Sequence, residues 1–149
     1  NVDGVDIVVP VFEWSEEYEI PGSVLTPAYV VAVAELTGKV NDGAFRGFAA
    51  GEVLFLGVSG TTNINPNQTD AASASTTSLS YRFAASPNKV NLDVGEIDVG
   101  EKKGWDFMWV RYEPEVGTET GKILKTPKSV YVDKVYEDGD FTILRLPGN

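Results

Sequence analysis

The chain contains no cysteine and no histidine. Those two absences exclude disulfides, zinc-type metal sites built on thiolate or imidazole, thiol nucleophiles and every catalytic triad that needs an imidazole base. The lack of cysteine does not fix a compartment, because a domain of this size folds without staples. Basic residues are also scarce. Lys plus Arg total 12 against 22 Asp plus Glu, giving a net charge of −10. Such a surface repels nucleic-acid phosphates and anionic lipid, so specific nucleic-acid binding is not expected. No apolar run approaches the ~18 residues that a spanning helix needs, and no membrane insertion is expected. An initiator methionine and a basic-then-apolar leader are both missing, so the chain reads as a processed form or the C-terminal part of something longer. There is no phosphate-binding loop, no dinucleotide fingerprint and no nucleophile elbow, and no cofactor is expected.

What is present suits one β-rich domain. The 149 residues are 42% hydrophobic and 11% aromatic, enough for a proper core and weighted toward strand formers. Val5 to Trp14 (VDIVVPVFEW) reads as an edge strand, since Pro10 cannot donate to a ladder. The acidic SEEYE run after it reads as a solvated loop. Thr26-Pro27 begins a helix over 27–37, with Gly38 as its stop. Tyr29, Ala32, Val33 and Leu36 share one face, and Glu35 is the only charge, which predicts a helix buried on most sides against a sheet.

Phe45 to Val58 reads as a strand or strand pair bent at Gly47 and Gly51. Ser59 to Ser78 lacks a core pattern and reads as a long exposed loop. Alternation returns in Leu79, Tyr81 and Phe83. Trp105 to Tyr112 (WDFMWVRY) is apolar on both faces, as in a central or interface strand. Trp105, Phe107 and Trp109 are expected to line the core. A hairpin is expected from Ser129–Tyr136 and Phe141–Leu146 around Glu137-Asp138-Gly139-Asp140, preceded by a charged segment, Glu113 to Lys128. The whole predicts a mostly β fold, a single barrel or sandwich of about six or seven strands with one packed α-helix.

Three patterns carry candidate chemistry. Glu13, Glu16, Glu17 and Glu19 include enough carboxylates for a glycosidase pair, but a solvated acidic loop explains them better. Asp93-Val94-Gly95-Glu96 recurs as Asp98-Val99-Gly100-Glu101, so Asp93, Glu96, Asp98 and Glu101 are weak Ca²⁺ candidates without the alternating ligand spacing of a dedicated loop. Trp14, Trp105 and Trp109 suit a carbohydrate platform, with core packing the commoner use. Asn67-Gln68-Thr69 is formally a glycosylation acceptor.

Taken together, VDIVVPVFEW, FRGFAAGEVLFLGVSG followed by LSYRFAASPN, and KKGWDFMWVRYE leading into KSVYVDKVYEDGDFTIL resemble an uncharacterised family of phage-like structural proteins from bacterial prophage regions. The resemblance implies larger members with an N-terminal part absent here, and no catalytic residues. More loosely, Phe45-Arg46-Gly47-Phe48 through Phe55, then Tyr81-Arg82-Phe83, is similar to ring-forming tail-tube barrels. A virion or other extracellular assembly is thereby implied, with copies of the chain and other particle proteins as partners. Rings and tubes use strand edges and reaching arms. The assembly candidates are Thr61, Asn63, Asn65 and Asn67 in the first polar segment, and Glu115, Glu119, Lys122 and Lys125 in the second. The competing classes are a secreted β-sandwich that binds sugar or a cell surface, and a filament or capsid-decorating subunit.

Overall fold

A computed structural model describes residues 11–64, 75–116 and 123–148. The described residues form nine strands, one α-helix and one 3-10 turn. Strands β1 (Phe12–Pro21), β2 (Val40–Asn41), β3 (Val53–Ile64), β4 (Ser75–Ala85) and β9 (Asp138–Gly139) make one open sheet in the order β1-β4-β3-β2-β9. Two-stranded sheets β5 (Lys89–Val94) with β6 (Ile97–Lys102), and β7 (Phe107–Val116) with β8 (Ile123–Asp133), complete the fold. The protein is mostly β with one packed helix, and its sheets are open, with no closed barrel among the described residues.

Helix α1 (Pro27–Leu36) forms where the sequence predicts it. Thr26 is the N-cap, its hydroxyl accepting from the Tyr29 N–H, and proline occupies the first turn. Only Val33 and Leu36 are buried, however, while Val30 and Val31 lie about half exposed. The expectation of a helix buried on most sides is therefore corrected. It covers β3 with one stripe and presents valines outward.

Alternation on β4 places Leu79, Tyr81 and Phe83 inward, as their period-2 spacing requires. They pack with Phe55, Phe45 and Phe141 beneath α1 and the 3-10 turn Phe141–Leu144. Of the strand expected over Val5–Trp14, residues 5–10 lie outside the described residues, and β1, at the edge of the sheet, instead runs on through the acidic stretch that reads as a loop. Trp14, Glu16, Tyr18 and Ile20 face the sheet's packed side, and Glu13, Ser15, Glu17 and Glu19 face water.

Several other expectations fail for identifiable reasons. Phe45–Phe48 is a two-residue turn closed by reciprocal backbone bonds, with positive φ at both Arg46 and Gly47, and strand pairing starts only at Val53. Of the polar loop, Ser59–Ile64 and Ser75–Ser78 belong to β3 and β4, paired from Ser59↔Ser80 to Ile64↔Ser75. These outer parts of the strands carry no apolar pattern, and the ladders of β4 with β3 and with β1 hold them. The charged Glu113–Lys128 segment is likewise mostly strand, in the two arms of the β7–β8 hairpin.

The hairpin around Asp138-Gly139 does not form. Those residues pair in parallel with Val40-Asn41, and Phe141–Leu144 turns back as a 3-10 segment. Gly139 packs closely there, and a Cβ would force the end of the Leu36 side chain to shift. On β7 the faces are reversed: Met108 and Val110 are buried, while Phe107 is 41% exposed and Trp109 looks outward.

Candidate functional site

The first candidate, the acidic cluster, resolves into a structural knot. Arg46 donates from Nε to Glu16 Oε2 at 3.0 Å and from Nη2 to Oε1 at 2.7 Å. Trp14 Nε1 donates to Oε2 at 3.0 Å and the Tyr18 hydroxyl to Oε1 at 2.7 Å. This bidentate pair ties the edge strand to the Arg46-Gly47 turn, where a non-glycine residue holds φ at 51°. Burial opposes ionisation of Glu16, but the hydrogen bonds from Arg46, Trp14 and Tyr18 and the Arg46 charge outweigh it and bring its pKa down to about 2. With every oxygen engaged and Glu13, Glu17 and Glu19 on the opposite face, the cluster offers no pair of free carboxylates facing one cleft.

A pH dependence follows. Because the folded pKa of Glu16 lies below its ordinary 4.5, the stability it supplies is fully present above pH 4.5 and is lost as pH falls toward 2. Glu16→Gln should therefore lower stability at pH 7 and flatten the acid limb of the stability–pH curve between 4.5 and 2. Chemical denaturation at several pH values checks this, and an unchanged acid limb would remove Glu16 from its structural role.

The Ca²⁺ candidates lie on the β5–β6 hairpin. Asp93 and Asp98 are cross-strand partners beside a Gly95-Glu96 turn, and Glu101 is engaged by Lys103 at 2.9 Å. Among the described residues, no three acidic side chains gather into a metal-holding group.

The aromatic candidates separate. Trp14 stacks on Phe83 and Phe48 inside the core margin. Trp105 sits in the turn before β7, donating to the Glu52 carbonyl at 3.0 Å and meeting Tyr136 edge-on. Trp109 stacks on Tyr131 across the β7–β8 pair at 4.2 Å between centroids, with its indole N–H on Asp133. The expectation that Trp105, Phe107 and Trp109 line the core is overturned. A strand apolar on both faces says nothing about which face turns inward.

Two clefts stand out. One, of about 180 Å³, lies where β2 and β9 meet the turn before β7. Trp105, Tyr136, Lys103, Lys134, Asp106 and Asp138 line it. Within it Lys134 pairs with Asp138 at 2.6 Å, while Lys103 bridges to Glu101 outside the cleft. The other, of about 470 Å³, is an apolar groove between α1 and β3, walled by Leu25, Val30, Val33, Leu56 and Val58. At its rim the Tyr29 hydroxyl donates to the Leu144 carbonyl and accepts from the buried Tyr81 hydroxyl, both at 2.7 Å. Burial, then the Tyr29 contact, pushes the Tyr81 phenol well above its ordinary pKa, so it stays protonated. Tyr81 therefore does not serve as a base near neutrality.

Of the assembly candidates, Thr61 is exposed on β3, Asn63 lies on β3, Glu115 on β7 and Lys125 on β8. Asn65, Asn67, Glu119 and Lys122 lie outside the described residues, as does the Asn67-Gln68-Thr69 triplet. Sequence reasoning missed the groove, although Val30 and Val33 beside a single charge in α1 were its visible signal. Among the described residues, no helix is long and apolar enough to cross a membrane. No family model, curated protein or solved structure matches this chain.

Proposed function

We propose that the chain is a non-enzymatic assembly subunit that associates with copies of itself, as a tail-tube-like or other component of a phage-like particle. One observation carries the reading: large apolar side chains stay exposed on several elements. Val24 and Val30 lie on and before α1, Val90 on β5, and Phe107 and Tyr131 on the β7–β8 ribbon. Exposed apolar surface spread over secondary-structure faces fits burial against neighbours. The acidic surface fits a particle component that does not adhere to nucleic acid.

The β3–β4 hairpin supplies a test. Ile64 and Ser75 are cross-strand partners, so residues 65–74 can be replaced by a two-residue Asn-Gly turn that closes the same register. The shortened chain should keep its melting temperature, since loop length alters stability only weakly. Its assembly, followed by negative-stain microscopy beside the full chain, should weaken or stop. Unchanged assembly would remove residues 65–74 from the contact surface.

A second reading, a carbohydrate-binding module, is favoured by the outward Trp109–Tyr131 stack. Trp109→Ala should abolish polysaccharide retention in affinity electrophoresis if that reading holds. If the assembly reading holds, there is no retention to abolish.

A further inference from the structure

The groove beside α1 borders an unfinished sheet. Strand β2 covers β3 only at Val40↔Leu54, and the backbone of Lys39 and Gly38 completes the pairing at Phe55. From Leu56 to Ile64, no described strand lies on that side of β3. Leu56 to Gly60, five consecutive residues, all line the groove. Successive side chains in a strand point to opposite faces, so a groove touched by all five follows the strand's backbone. An open edge offers a row of N–H and C=O groups to an incoming strand. A helix beside such an edge gives that strand a wall for its alternate side chains.

We infer that this groove receives residues 5–9 (Val-Asp-Ile-Val-Val) of a second copy as an added β-strand, a contact that rests on the self-association proposed above and identifies one of its surfaces. Four of those five residues are β-branched and apolar, suited to pleated pairing and to a groove walled by Leu25, Val30 and Val33. Five residues of strand extend ~17 Å, the same length as the Leu56–Gly60 edge. Arg82 is the one charged side chain lining the groove, and Asp6 is the one charge in the segment, so the pairing is complementary. Within its own chain the segment leads into Phe12, whose strand lies on the far side of β4 from β3, and β2 stands at that end of β3. A neighbouring copy has no such obstacle. A donor on one side and a groove on another make a head-to-tail contact, which closes a ring or climbs as a helix.

The absence of cysteine makes cross-linking clean. Full-length Val8→Cys and Val30→Cys chains, mixed and treated with a short bis-maleimide, should give covalent dimers well above those from either chain alone. Val30→Lys places a charge in the groove at a half-exposed position and should weaken self-association by at least about tenfold in sedimentation, or 1.4 kcal/mol. Val31→Lys, on the same helix but outside the groove, should leave it unchanged. Circular dichroism of each variant confirms folding. If the wild-type chain associates but the mixture gives no excess dimer and Val30→Lys behaves like Val31→Lys, the strand-addition contact is wrong and self-association stands. A dilute Val8→Cys/Val30→Cys chain that cross-links only within itself also overturns it, placing the segment in its own groove. A wild-type chain that never associates overturns both.

Discussion

Phe83→Ala should cost about 3–5 kcal/mol, whereas Trp109→Ala should cost only about 1–2 kcal/mol despite deleting a larger ring. Phe83 is fully buried on β4, the strand flanked by both β1 and β3. Its ring centroid lies 5.0 Å from Phe45, 5.2 Å from Trp14 and 5.4 Å from Phe55, with Phe141 at 6.2 Å. Removing it leaves a cavity that four aromatic neighbours on separate elements cannot all relax to fill. Trp109 has one stacked partner, Tyr131, itself 40% exposed, so truncation there returns surface to water without opening a void. Urea denaturation of the two variants checks the ordering. A larger loss for Trp109→Ala would mean that β7 turns its tryptophan face inward after all.

Gly104→Ala should be as damaging as a large core deletion, of the order of 3–4 kcal/mol or enough to prevent folding. A Cβ at this position would overlap the Ser86 carbonyl oxygen, a backbone atom that cannot move aside. The close approach is held by Asn88, whose Oδ1 accepts from the Gly104 N–H at 2.7 Å while its Nδ2 donates to the Ala50 carbonyl at 3.0 Å. Asn88 thereby binds the end of the main sheet to the turn that launches β7. Gly43→Ala is the matched control, since Gly43 has no positive φ and open space where its Cβ would stand. That substitution should be neutral or stabilising by up to about 1 kcal/mol. Thermal unfolding separates the two, and equal melting temperatures would show that the Ser86–Gly104 crossing is wider than described.

How much of this was legible in the sequence depended on whether a signal was local. Thr26-Pro27 and Gly38 mark the two ends of α1 by purely local signals, and Leu79, Tyr81 and Phe83 announce β4 by alternation alone. Strand β1 was hidden because Glu16 takes an inward position where its charge is paired with Arg46, 30 residues away. Read without that partner, SEEYE has the composition of a loop. Asp138-Gly139 carries a turn signal but is used for a parallel bridge to Val40-Asn41, a non-local pairing with no trace in its own dipeptide. The apolar groove was only half legible. Val30 and Val33 are visible in the helix pattern, yet the open edge of β3 exists because β2 is just two residues long, and strand length is decided by tertiary context.

Sedimentation velocity of the full 149-residue chain over a wide concentration range, near neutral pH, tests assembly most directly. An assembly subunit should sediment faster than a 16.1 kDa monomer, with the larger species growing as concentration rises. A single monomeric boundary at every concentration, with the chain shown to be folded, would contradict it.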